Sequence, residues 1–114
     1  LDWTLSAWTL TRSLAPFEAE AMTSYRAQAA DPERLTAMCA DYRAGFHTDR
    51  GIDAADRAAG RKIAAPMLFL WAQHGFPAST GWADRVIDSP VPSGHFAMEE
   101  APQQVAAALD AFFD

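Results

Sequence analysis

The chain has one cysteine, Cys39, so no internal disulfide can form, and this usage points to a reducing compartment, the cytoplasm. Basic residues are also scarce: 9 Lys and Arg stand against 15 Asp and Glu, giving a net charge of -6 and a pI near 4.8. Binding to nucleic acid or an anionic membrane surface needs clustered cations, and both partners are excluded on that ground. No apolar run approaches the roughly 20 residues of a membrane span, and no basic-then-apolar signal segment opens the chain. There is no glycine-rich phosphate loop, no zinc-ligand spacing and no internal repeat, so no motif asks for a metal or cofactor. The chain starts at Leu1 and has no early Met, from which a piece of a longer reading frame is expected.

What is present is ordinary for a globular chain: 114 residues, 50% hydrophobic and 21% charged, enough for one small domain with a modest core. The first half reads as helical. Over Pro16 to Gln28, Phe17, Ala21, Met22 and Tyr25 recur about one turn apart. Asp31-Pro32 is a helix start, because Asp can accept from free amides at the N-cap and Pro suits the first helical position. The helix it opens carries Leu35, Met38, Cys39 and Tyr42 on one face and is expected to stop near Gly45. An Ala-rich third helix runs from about Asp49 to Gly60. The pattern changes at Pro66. Met67-Leu68-Phe69-Leu70-Trp71 is a continuous apolar run, as in a strand buried on both faces. A weaker strand lies near Val86 to Val91, where Pro90 is tolerable only at an edge or strand end. The last helix, Pro102 to Phe113, places Val105, Leu109, Phe112 and Phe113 at core spacing.

The chemistry-bearing candidates are few. His95 lies in Ser93-Gly94-His95-Phe96, on a loop past the second strand and ahead of the final helix. An imidazole suits proton transfer near neutral pH when another group orients it; the bland alternative is a capping or packed histidine. Tyr42 is either a core tyrosine or a donor to an anion or leaving group. Pro77-Ala78-Ser79-Thr80-Gly81 imitates a nucleophile elbow, but Pro77 replaces the first glycine and the strand-turn-helix context is missing, so Ser79 is set aside. Cys39 reads as a buried small hydrophobe. His47, Asp49, Asp53 and Asp56 read as a solvated face, not metal ligands, and His74 as an exposed loop residue. No carboxylate follows the first strand in Ala72-Gln73-His74-Gly75, and Asp84 and Asp88 belong to the approach to the second strand, so the acid that would orient His95 is unassigned.

Three stretches resemble the C-terminal part of haloacetate (fluoroacetate) dehalogenase-like α/β-hydrolases. They are Met38-Cys39-Ala40-Asp41-Tyr42-Arg43-Ala44-Gly45, then Asp56 to Pro66 leading into Leu68-Phe69-Leu70-Trp71, and Ser93-Gly94-His95-Phe96 with Glu99-Glu100-Ala101-Pro102. The resemblance implies an α/β fold class: the last two strands and final helix of an α/β-hydrolase, preceded by helical cap segments, with an incomplete sheet. It divides the chain into residues 1–47 (C-terminal part of the cap) and 48–114 (C-terminal part of the core). It also implies a mechanism without cofactor or metal. An Asp nucleophile displaces halide from a small haloacid, and the histidine then activates water to hydrolyse the ester. His95 matches that histidine, and Tyr42 matches the cap tyrosine that hydrogen-bonds the departing halide. The nucleophile, the oxyanion hole, the orienting acid and a His-Trp pair of the cap are expected upstream of Leu1, and the chain alone is expected to be inactive. The resemblance admits a homodimer of the intact parent. Relative to the family, the segment between Gly81 and Trp82 is shorter by about two helical turns. A serine esterase or an epoxide hydrolase on the same scaffold, and a non-catalytic truncated product, remain open alternatives.

Overall fold

The computed structural model describes residues 1–73 and 81–114, and its contacts divide the chain into two units. One comprises Leu1–Glu18 with Ile63–Asp114, and the other is Ala19–Lys62. His74 and Ser79 lie outside the described residues.

In the first unit, α1 (Asp2–Trp8) is followed by the strands β1 (Met67–Ala72) and β2 (Val86–Val91), the one-turn helix α5 (Ala97–Glu100) and α6 (Pro102–Phe113). The two strands pair in parallel, with Met67 opposite Val86 and Ala72 opposite Val91. The pairing is prepared upstream by a parallel bridge between Ile63 and Ala83, where the Ile63 amide donates to Trp82 O at 2.7 Å. Pro90 faces Trp71 one residue before the end of β2, a place where a missing N–H does little harm. Among the described residues no helix stands between the two strands.

The apolar run of β1 forms its strand, but not one buried on both faces: every residue of it is half-buried. Its described neighbours are β2 on one side and α6, which covers only part of the sheet. The buried apolar residues of this unit are Leu5, Phe17, Ala83, Val91, Ala101 and Val105. Val105 anchors α6, whereas Leu109 and Phe113 of the expected core stripe are exposed and Phe112 is half-buried. Ala101, with φ -141° and ψ 52°, breaks the chain between α5 and α6, so Glu99 and Glu100 belong to their own short turn and α6 starts at Pro102.

The second unit is helical: α2 (Ala19–Ala30), α3 (Pro32–Ala44), a π-helical turn over Gly45–Asp49, and α4 (Arg50–Ala58). The helix expected from Pro16 starts later, at Ala19, and Phe17 packs in the other unit. The α3 start is as the sequence dictates: Asp31 Oδ1 accepts from Glu33 N at 2.9 Å and Arg34 N at 3.4 Å, and Pro32 occupies the first turn. Asp31→Ala should therefore lower the stability of this unit by about 1 kcal/mol. The drop is to be read from the thermal midpoint of the helical circular-dichroism signal, and an unmoved midpoint would show that the cap contributes nothing.

Gly45 does not end α3. Its backbone is right-handed helical (φ -54°, ψ -42°), so the helical run passes through the π turn into α4. The stripe expected to be core is open to solvent: Leu35, Met38, Cys39 and Tyr42 are all exposed. Among the described residues the main neighbours of α3 are α2 and the π turn, which leave this stripe uncovered. Cys39 is thus an exposed thiol and not a buried hydrophobe. Among the described residues no helix is long and apolar enough to cross a membrane.

Candidate active site

Three devices in the first unit hold the Ser93–Phe96 loop. β2 delivers the chain to it, and immediately past Val91 the Ser93 amide turns back to donate to Val91 O at 2.8 Å. Ser93 is fully buried, with its Oγ donating to Gly94 O at 3.1 Å. Next, the segment Trp8–Leu10 lies directly on Gly94: a Cβ at that position would stand 2.5 Å from Leu10 N, 2.6 Å from Trp8 O and 2.8 Å from Thr9 C. The glycine is needed here for closeness of two backbones, since it is not among the residues with positive φ. The His95 amide then donates to Trp8 O at 2.9 Å and ties the same two segments together.

The third device is a row of rings. Trp8 meets His95 edge to face (4.8 Å, 76°), His95 meets Phe96 (5.0 Å, 89°), and Phe96 meets the buried Phe17 (5.2 Å, 68°). Such pairs contribute roughly 0.5–1.5 kcal/mol each beyond burial. Glu100, one turn further on, closes the arrangement: its Oε2 accepts from Leu10 N at 2.6 Å and its Oε1 from Phe96 N at 3.2 Å.

The segment over the loop is itself well fixed. Buried Thr9 lies with Oγ1 3.0 Å from Ser6 O and 2.9 Å from Ser13 O, and it accepts from Ser13 N at 3.0 Å. Arg12 takes a left-handed conformation, φ 56°, and its guanidinium donates to Ala7 O at 2.8 Å. An open cleft of about 490 Å³ lies against these groups, lined by Trp8, Thr9, Arg12, Leu70, Ser93 and His95 among others.

His95 is exposed at this cleft, and among the described residues no side chain hydrogen-bonds its imidazole. Its ring can take a proton from a group brought into the cleft, while its backbone is held from two sides. Asp88 lines a different, smaller hollow with Leu68, Ile87 and Phe112, which separates it from the histidine cleft. Tyr42 belongs to the helical unit and is 72% exposed, so its hydroxyl is not a core tyrosine's. Among the described residues no three His, Cys, Asp or Glu side chains cluster as metal ligands do. Sequence reasoning missed Trp8, Leu10 and Glu100. A glutamate five residues past a candidate histidine is visible in the sequence, but its amide partner 90 residues away is not.

No protein-family profile matches the chain. Solved structures do. A proposed epoxide hydrolase from Pseudomonas aeruginosa, also determined as a point variant with bound MFA, superposes with a TM-score of 0.88 and 33% identity over 99% of this chain and 40% of its own. A proposed α/β hydrolase from Nostoc sp. PCC 7120 gives 0.86 and 30%, over 96% of this chain and 39% of its own. A proposed acyltransferase from Salmonella enterica gives 0.81 and 28%, over 96% and 38%. The chain thus spans about two fifths of the length of the structures it matches, and its architecture is the C-terminal part of an α/β-hydrolase fold.

Proposed function

We propose that this chain carries the base of an α/β-hydrolase of the haloacetate dehalogenase type, with His95 as that base. The observation that supports the reading best is His95 itself: exposed at a cleft, on the loop after β2, and held by backbone contacts to Trp8 and the Glu100 turn. In the reaction proposed, an Asp carboxylate from the part of the fold the chain does not span attacks the halogen-bearing carbon of a haloacetate. The carbon-halogen bond breaks, halide leaves and a carboxymethyl ester of the Asp forms. His95 then takes a proton from water as the hydroxide adds to the ester carbonyl. The tetrahedral intermediate collapses, the leaving alkoxide takes that proton back from His95 to depart as glycolate, and the remaining acid proton is lost to solvent as the carboxylate is regenerated. Tyr42 donates a hydrogen bond to the departing halide. Fluoride is small and strongly hydrated, so a donor already aimed at it counts most for that leaving group. The substrate is a small haloacid, the setting cytoplasmic, and no cofactor enters the steps.

A second reading is favoured by the Pseudomonas aeruginosa structure described as an epoxide hydrolase. There the same ester chemistry would open an epoxide, and a tyrosine donor would serve the developing alkoxide. The two readings part on substrate. The full protein incubated with fluoroacetate, chloroacetate and a small epoxide should release halide ion and leave the epoxide intact; diol formation without halide release would give the site to the second reading. Tyr42→Phe should slow defluorination by roughly tenfold more than dechlorination, about one hydrogen bond to a charged group. Equal losses on both substrates would remove Tyr42 from the halide site.

A further inference from the structure

We infer that Glu100 is the positioning residue for His95, acting by clamping the Trp8–Leu10 segment onto the histidine loop. The inference rests on His95 being the base proposed above. Within the described residues the supports of the imidazole are its own backbone and the rings of Trp8 and Phe96, and these act beside any acid that the rest of the fold turns toward the ring. Both of those supports meet at one carboxylate. Oε2 holds Leu10 N, which keeps the Trp8 carbonyl and ring against His95, and Oε1 holds Phe96 N, the peptide that follows the histidine.

The chemistry of a carboxylate suits this task. Two N–H donors converge on one side chain, and a carboxylate offers two acceptor oxygens with no donor to repel either. Charge assistance makes each bond roughly twice as strong as a neutral one. The α5 turn delivers the group: the Glu100 amide donates to Phe96 O at 2.9 Å, which sets the side chain to reach back to the Phe96 amide. A glutamine keeps one acceptor but turns an NH₂ toward the other N–H. An aspartate is one methylene short, and an alanine leaves both amides without an acceptor.

The test uses the full protein with Glu100→Gln and Glu100→Ala, read in two ways. Amide exchange and the His95 ring resonances report the clamp without turnover. In Glu100→Ala the Leu10 and Phe96 amides should exchange roughly 10- to 100-fold faster, the cost of losing a charged hydrogen bond, and the His95 ring resonances should move as the ring shifts relative to Trp8. Glu100→Gln should deprotect one of the two amides and leave the fold intact. In rapid-mixing kinetics the initial stoichiometric burst of halide should persist while steady-state turnover falls by about 10²-fold, as expected for a base displaced by an ångström. Loss of burst and steady state in equal measure would indicate general damage and overturn the positioning role. So would protected amides and unmoved His95 resonances in both variants. A wild-type protein that releases no halide counts against the dehalogenase reading alone, because the amide and His95 readouts still decide the clamp.

Discussion

His95→Ala in the full protein should stop turnover of haloacetate and leave the protein carrying a covalent carboxymethyl ester. An Asp nucleophile is already ionised at neutral pH and needs no base to displace halide, so the first step survives the substitution. The second step needs a proton taken from water, and loss of a positioned general base costs roughly 10²- to 10⁴-fold. Intact-protein mass spectrometry after exposure to chloroacetate should show the added carboxymethyl group, with one equivalent of chloride released. The same variant separates the nucleophiles. A serine needs the histidine to deprotonate it before any attack, so a serine enzyme stripped of His95 would accumulate no adduct. Undiminished turnover in His95→Ala would falsify the assignment of the base and return the histidine to a packed loop residue.

Gly94→Ala carries the second large effect, and it acts through space alone. The atoms that a methyl group would meet at 2.5–2.8 Å are the backbone of Trp8, Thr9 and Leu10, not the flexible end of a side chain. One of the two segments must therefore move bodily. The adjoining His95 N–Trp8 O hydrogen bond and the Leu10 N–Glu100 bond lie in the same contact, and both lengthen or break when it opens. Overpacking of this kind costs typically 1–3 kcal/mol, and each kcal/mol lowers Tm by roughly 4–8 °C in a unit of this size. Ester hydrolysis should fall with it. A Gly94→Ala protein with wild-type Tm and turnover would mean that the Trp8–Leu10 segment does not sit on the histidine loop.

The strands, α6 and the cap of α3 could be read from the sequence because each rests on local chemistry. A continuous apolar run makes β1, Asp31-Pro32 starts a helix, and Pro102 starts another. Burial was less legible. Leu35, Met38 and Tyr42 have the spacing of a core stripe, but spacing cannot say whether anything covers the stripe, and here the described chain leaves it open. Gly45 shows the same limit at the backbone: glycine permits a left-handed stop but does not compel one. The histidine could be located from its strand-loop-helix setting. Trp8 and Leu10, which close over it, could not, because they come from the opposite end of the chain.

That origin has a consequence for how the site is made. The Leu10–Glu100 bond joins residues 90 apart, so it forms only after nearly the whole chain has been gathered. Closing a loop of that length costs roughly 4 kcal/mol of chain entropy, before any compensation from contacts in between. Helices α2 and α3 can form from neighbours a few residues away, whereas the histidine loop must wait for the first ten residues to arrive. During synthesis that contact is impossible until Glu100 has emerged, so the site of proposed chemistry is among the last parts of this chain to acquire its shape.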